Sequence, residues 1–179
     1  MKGVIFTNFL KMVDETFSPE VTEEIIERAN LPSGGAYTTV GAYDHAEILA
    51  LVVALSELTS ADSSALVRAF GKYLFGALGA AHPEYISDIN SSFDLLKEVQ
   101  DHIHVEVRKL YPDAELPKIE CVSRDDDLTV HYQSERPFAS VAEGLIEGCI
   151  DHFKDNVTVE RQDFSDDGRH AVFVLKRVA

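Results

Sequence analysis

Two spacings of apolar residues divide the chain into an early helical part and a later part that contains strands. Over about the first 110 residues, apolar side chains recur every three or four positions, which is typical of helices with one buried face. Beyond Pro117 they recur at every second position over short stretches, which is typical of half-buried strands. The early pattern predicts helices at about 2–17, 19–29, 43–58, 63–78 and 91–110.

Local signals mark where several of these elements begin and end. Ser18 precedes a proline that suits a first helical turn, Ser91 or Ser92 suits the cap of the 91–110 helix, and Pro112 ends it. Ser140 and Glu143 have the spacing of a capping box for a helix that runs towards Phe153. Strands are predicted at 118–122 and 128–132, joined by the acidic turn 124–127, and a hairpin at 157–164 and 170–176 turns across Asp166-Asp167-Gly168.

The order of these elements predicts one α+β domain over residues 1–179. An N-terminal helical subdomain, about residues 1–60, is followed by a part, about residues 61–179, in which helices accompany a small antiparallel sheet. A chain of 179 residues is long enough to bury a sizeable core.

Charge and composition exclude several classes of protein. The net charge of −15 opposes binding to the phosphates of nucleic acid. No apolar run approaches the roughly 20 residues of a membrane span. Two cysteines, Cys121 and Cys149, make no disulfide framework, and the N-terminus lacks the pattern of a cleavable signal peptide. We therefore expect a cytoplasmic protein.

The predicted 91–110 helix offers an imidazole to a metal. At about 100° per residue, His104 falls at one edge of its apolar stripe and His102 at the other. Histidine is the usual protein ligand of haem iron, although a histidine at the edge of a stripe is more often a surface or half-buried residue. The spacing does not choose between the two. The stripe itself consists of Leu96, Val99, Ile103, Val107 and Leu110.

A second candidate site follows the predicted strand at 128–132. Residues two apart in a strand share a face, so Tyr132, Ser134 and Arg136 present a phenol, a hydroxyl and a guanidinium on one side. At about 3.3 Å per residue they span about 13 Å, enough for the two propionates of a haem. The planar fork of arginine suits a carboxylate. The alternative is a strand that runs into solvent with Arg136 exposed.

Four stretches of the chain carry a resemblance to a known family: Met1–Phe6, Gly35–Tyr43, His104–Pro112 and the Tyr-x-Ser-x-Arg triplet at 132–136. They resemble the H-NOX family, the haem–nitric oxide/oxygen binding domains, and the resemblance covers essentially the whole sequence. It implies that His104 is the iron ligand of a haem b, the iron complex of protoporphyrin IX, which would lie buried between the two parts of the chain. It also implies that Tyr132, Ser134 and Arg136 bind the propionates, and that Ile5 and Pro117 contact the porphyrin.

The same resemblance bears on which gas binds. Oxygen-binding members of the family carry a tyrosine five residues after the arginine of the triplet, where this chain has Val141 and, further along the helix, Leu145. Nitric oxide binds ferrous haem without a hydrogen-bond donor, so we expect nitric oxide and CO to bind and oxygen to be excluded. Tyr73 is an alternative donor, and with it the protein would be an oxygen sensor.

The expected output is a signal and not a reaction, so we expect no enzyme activity. Nitric oxide would break the bond between iron and His104, and the altered surface would act on a separate protein. By resemblance to stand-alone bacterial members, that partner is a sensor histidine kinase or a cyclic-di-GMP synthase or phosphodiesterase. A peroxidase would need a distal histidine–arginine pair, which is not evident, and a haem-free interaction module would show no haem absorption.

Overall fold

Helices make up the first part of the chain in the computed structural model, which describes residues 1–163 and 167–178. The chain forms two compact units, one from Met1 to Phe70 and one that begins at Gly71, inside the fourth helix. Within the described residues no single helix is long and apolar enough to cross a membrane, and α3 and α4 meet that test only when taken together. The early helices are α1 Gly3–Thr16, α2 Pro19–Ala29, α3 His45–Thr59 and α4 Ser63–Ala81.

The core of the first unit is formed by the faces that the helical spacing predicts. The Ser18 hydroxyl accepts a hydrogen bond from the N–H of Val21, as expected of its cap, and Asp44 caps α3 in the same way. Six side chains of α1, α2 and α3 are fully buried: Phe6, Phe9, Val13, Ile25, Leu51 and Leu55.

The start of α1 packs closely against the loop that precedes α3. The N–H of Gly3 donates to the carbonyl of Gly41 at 2.8 Å. A β-carbon on Gly3 would lie 1.8 Å from the carbonyl oxygen of Thr38, so only glycine fits there. Phe6 stacks on Tyr37 with 4.5 Å between ring centroids. Two of the stretches that carry the family resemblance therefore pack against each other.

In the second unit the predicted 91–110 helix is present, but its middle is not α-helical. α5 covers Ser92–Glu98, a π-helical turn covers Val99–Ile103, and α6 covers His104–Leu110. Ser91 is the cap, since its hydroxyl accepts a hydrogen bond from the N–H of Asp94. A short 3-10 turn at Pro83–Tyr85 precedes this helix and was not predicted.

The four strands form one antiparallel sheet in the order β1-β2-β4-β3. Arg124 pairs with Asp127, so the acidic turn of the first hairpin has two residues, and the left-handed φ of 49° at Asp125 suits such a turn. The second hairpin pairs Asp163 with Ala171. Phe164 and Asp166, which belonged to the predicted hairpin, lie outside the described residues. The strands are β1 Lys118–Arg124, β2 Asp127–Gln133, β3 Val157–Asp163 and β4 His170–Arg177.

One cluster of apolar side chains joins this sheet to α5 and to α7, which covers Ala139–Phe153. Every second residue of β2 is buried, as the period of two predicts. The structure therefore confirms an α+β fold with a small antiparallel sheet and helices. Members of the cluster include Phe93, Leu96, Leu128, Val130, Ile146, Cys149, Phe173 and Leu175.

The predicted capping box of α7 is wrong. α7 begins at Ala139 and has no side-chain cap. The Ser140 hydroxyl and the Glu143 carboxylate instead accept hydrogen bonds from Nη1 of Arg161, each at 2.9 Å. An arginine from β3 competes successfully for both groups because it offers several charged donors.

Glycine allows α4 and α7 to approach closely. A β-carbon on Gly71 would lie 2.3 Å from the backbone carbonyl oxygen of Val141, and one on Gly148 would lie 3.0 Å from that of Lys72. A backbone oxygen cannot move aside as the end of a flexible side chain can, so a larger residue at either position forces the helices apart.

We expect Gly71→Ala to lower the free energy of unfolding by about 1–3 kcal/mol, the usual cost of inserting a methyl group into a packed region. Gly76→Ala on the same helix is the control, because no described atom lies within 4 Å of the added β-carbon. In that variant the free energy of unfolding should rise by up to about 1 kcal/mol, because alanine reduces the conformational freedom of the unfolded chain. Urea unfolding measures both values, and equal stability of the two variants would contradict the close approach.

Candidate functional site

The π-helical turn sets the position of the candidate iron ligand. The backbone N–H of His104 donates to the carbonyl of Val99, five residues earlier, where an α-helix would use the residue four earlier. The extra residue in this turn changes the angle between successive side chains. The prediction that His102 and His104 lie at opposite edges of the apolar stripe assumed a regular α-helix. In the structure His102 is exposed and His104 is half-buried.

The surroundings of His104 suit a group that donates a lone pair. Burial, with a smaller contribution from the positive charge of Arg108, lowers the pKa of His104 to about 4. The imidazole is therefore neutral near pH 7 and keeps a nitrogen lone pair for a metal. Its Nδ1 is buried and has no hydrogen-bond partner within the described part of the chain. His102 instead turns towards Tyr85, with 6.2 Å between ring centroids.

The three polar side chains of the Tyr-x-Ser-x-Arg triplet come together, although not on a continuous strand. β2 covers Asp127–Gln133, which confirms the strand predicted at 128–132. The strand face that was expected to continue through Ser134 and Arg136 ends there. The bend that follows is held by hydrogen bonds from the N–H of Ser134 to the carbonyl of Arg169 at 2.9 Å and from the N–H of Arg136 to Oγ of Ser134 at 3.1 Å. The bend keeps these groups near one another.

Tyr132 forms the buried end of this group, with 4% of the residue exposed. Burial raises the pKa of its phenol, while a hydrogen bond with the Ser134 hydroxyl and the charge of Arg136 act in the opposite direction. The phenol therefore stays protonated at neutral pH and can donate a hydrogen bond to an anion.

Arg136 is half-buried, and its guanidinium is paired with a carboxylate. Its side chain is 15% exposed, whereas that of its partner, Glu115, is 72% exposed. A guanidinium in such a place needs an anionic partner, because an unpaired charge is costly away from water. The carboxylate of Glu115 thus occupies a position that a propionate carboxylate would also satisfy. The residues present therefore fit a haem in two ways. Arg136 can pair with a propionate, and the neutral imidazole of His104 has a lone pair for the iron.

No sequence pattern identifies Glu115 as part of the site. It lies in the loop between α6 and β1, where no period or motif marks it. The pairing arises only because that loop passes the bend after β2. The same loop carries Pro117, which is half-buried.

Val141 and Leu145 both lie half-buried on α7, as Tyr73 does on α4. The first two offer only hydrocarbon to their surroundings. Ile5, on α1 in the first unit, is also half-buried and lies outside the fully buried face of that helix.

Comparison with known proteins identifies the family of the chain. A family model described as Haem-NO-binding matches residues 2–161. The chain belongs to this family, the H-NOX proteins. It is thus a haem-binding domain of a gas-sensing family, and the resemblance drawn from the four sequence stretches is confirmed.

Solved H-NOX structures share the whole fold. The Fe(II) unliganded protein from K. algicida is 32% identical, with a TM-score of 0.93 over 100% of this chain and 97% of that one. The Shewanella woodyi protein, bound to IWP-051 in the Fe(II)CO state, is 46% identical, with a TM-score of 0.84 over 99% and 95%. The S. oneidensis protein in the Fe(II)NO state is 26% identical, with a TM-score of 0.92 over 100% of both chains.

Proposed function

We propose that this H-NOX protein senses nitric oxide through a haem b whose iron is bound by His104. The observation that carries the proposal is the neutral, half-buried imidazole that follows the π-helical turn, with a buried nitrogen that has no partner among the described residues. An exposed histidine such as His102 lies in contact with water and would need no such surroundings.

Tyr132, Ser134 and Arg136 would hold the propionates. The support is the pairing of a largely buried guanidinium with a carboxylate that is itself mostly in solvent. Glu115 would give way to a propionate at little cost, because its own carboxylate is mostly in solvent and the guanidinium would keep an anionic partner. Ile5 and Pro117 would contact the porphyrin, as the family resemblance implies.

The selectivity that we propose, for nitric oxide and CO over oxygen, rests on Val141 and Leu145. Neither side chain has a donor, and bound oxygen requires one to stabilise its negative charge. The S. oneidensis and S. woodyi proteins have been described with NO and CO respectively. Sensing of the same two gases by this chain is consistent with hydrocarbon side chains at these positions.

When bound, the haem would supply a ferrous iron, held by His104, that can take up nitric oxide. Loss of the bond to His104 would free α6, in which no residue is fully buried. α6 can therefore shift at little cost in packing. A partner that binds the two positions of this helix with different affinity would convert the shift into a signal.

We propose that the output is this signal and not catalysis, and that the partner is a sensor histidine kinase or a cyclic-di-GMP synthase or phosphodiesterase. The net charge of −15 favours a partner with a basic docking surface. Cys121 and Cys149 are both free thiols, which suits a reducing compartment such as the cytoplasm.

The visible spectrum of the ferrous protein, recorded without oxygen, then in air and then with nitric oxide, tests the proposal. We expect a Soret band that is unchanged in air and that shifts with nitric oxide to the position of a five-coordinate haem. His104→Gly should remove normal haem binding, and added imidazole should restore it. His102→Gly is the matched control and should behave as the unsubstituted protein does.

Three results would contradict the proposal that the protein senses nitric oxide through a haem bound by His104. A Soret band that shifts in air would favour the oxygen sensor, with Tyr73 as the first donor to test. Loss of haem binding in His102→Gly and not in His104→Gly would assign the iron ligand to His102. No Soret band after reconstitution with haem would favour a haem-free interaction module.

Arg136→Ala should weaken haem retention by about 10–100-fold, because hydrogen bonds to charged groups contribute about 1.5–3 kcal/mol. The rate of haem transfer to apomyoglobin measures the change. Arg124→Ala, at the exposed end of β1, is the control and should leave the rate unchanged. Equal rates for the two variants would exclude a propionate-binding role for Arg136.

Val141→Tyr should raise oxygen affinity by about 10–100-fold, through a hydrogen bond worth about 1.5–3 kcal/mol. Val141→Phe adds a ring of similar size without the hydroxyl and should not raise it. Oxygen titration of both ferrous variants separates the donor from the change in volume. If the tyrosine variant binds oxygen no better than the phenylalanine variant, residue 141 does not control selectivity.

A further inference from the structure

The helix that carries His104 is anchored firmly along its first half. Phe93, Leu95 and Leu96 of α5 are buried in the core of the second unit. The carboxylate of Asp155 accepts hydrogen bonds from the N–H and the hydroxyl of Ser92, at 2.8 and 2.6 Å. These contacts fix α5 in position.

The second half of the helix has much less to hold it. Neither the π-helical turn nor α6 contains a fully buried residue. Ile103 is only partly buried where it packs against the core of the second unit. Since burial of apolar side chains is what usually fixes a helix in place, the orientation of His104 depends on the few polar contacts in this region.

One of these contacts ties the π-helical turn to the sheet. Oε1 of Gln100 accepts a hydrogen bond from the backbone N–H of Ile119 at 3.0 Å. β1 is an edge strand, so some of its N–H groups have no neighbouring strand to pair with. Gln100 satisfies one of them with its own side chain, and in doing so joins the turn to β1.

The bond of Gln100 bears directly on His104. Gln100 lies inside the loop of backbone closed by the hydrogen bond from the N–H of His104 to the carbonyl of Val99. An α-helix would close at the residue four earlier, which is Gln100 itself. A change from the π-helical to the α-helical pattern would therefore rotate His104 and displace Gln100 together.

We propose that Gln100 is a positioning residue for His104: its bond to Ile119 holds the π-helical turn and so fixes the direction of the imidazole. The inference rests on the proposed role of His104 as iron ligand. Without the bond, the turn samples other arrangements, and the ring spends part of its time poorly aligned with the iron.

The test uses the ferrous holoprotein and its iron–histidine stretching band in the resonance Raman spectrum. Gln100→Leu removes the acceptor and keeps a similar size, and should move the band to lower frequency and broaden it. Gln100→Glu retains an oxygen acceptor and should restore the original band. Gln162→Leu, at an exposed position on β3, is the matched control and should leave the band unchanged.

Hydrogen exchange provides a second measurement, independent of the iron. The amides of residues 99–104 should exchange faster in Gln100→Leu than in Gln100→Glu, while those of α5 should not change. A general loss of structure would accelerate exchange in α5 as well, and would overturn a role limited to the turn.

An unshifted band in Gln100→Leu, or one at higher frequency, would overturn the inference while leaving His104 as the ligand. If the unsubstituted protein shows no iron–histidine band, the proposed function itself fails. The two failures are therefore distinguishable in one set of spectra.

Discussion

The unequal burial of one helix, from Ser92 to Leu110, is the constraint on which the rest of the site depends. Its first half belongs to the core of the second unit, and its second half does not. A histidine on the weakly held half can change position without disturbing the core. A sensor needs this combination, because a ligand group buried throughout would be too costly to move and an unattached one would transmit nothing.

The π-helical turn at Val99–Ile103 separates the two halves. Such turns leave backbone groups less regularly paired than in an α-helix, and they occur often at functional sites. Here the turn also decides which histidine is half-buried and which faces solvent. Local helix geometry and the chemistry proposed for His104 are thus set by the same few residues.

Charge and burial favour a bound carboxylate beside Tyr132 and Arg136, the second group of candidate site residues. The chain is strongly acidic, yet Arg136 is largely buried and is paired with Glu115. A half-buried guanidinium next to a buried, protonated phenol makes a place where a carboxylate is favoured. In the proposed haem complex a propionate would take the place of Glu115, whose own charge is well solvated.

Periodicity predicted most of the helices and strands, because each has one face in a core and one in water. Burial on β2 alternates as the sequence pattern requires, and the caps at Ser18 and Ser91 follow from local hydrogen bonding. The capping box at Ser140 failed for a non-local reason. Its groups lie within reach of Arg161, a partner that is distant in sequence and that no local pattern reveals.

The sequence by itself determined the α+β class, the family and the triplet that supplies a phenol, a hydroxyl and a guanidinium, since these depend on periods and motifs. Tertiary structure decided the rest. It left His104 half-buried and His102 exposed, paired Arg136 with Glu115 and joined Gln100 to Ile119. Each of these outcomes depends on a backbone distortion or on contacts between distant segments, and neither leaves a periodic trace in the order of residues.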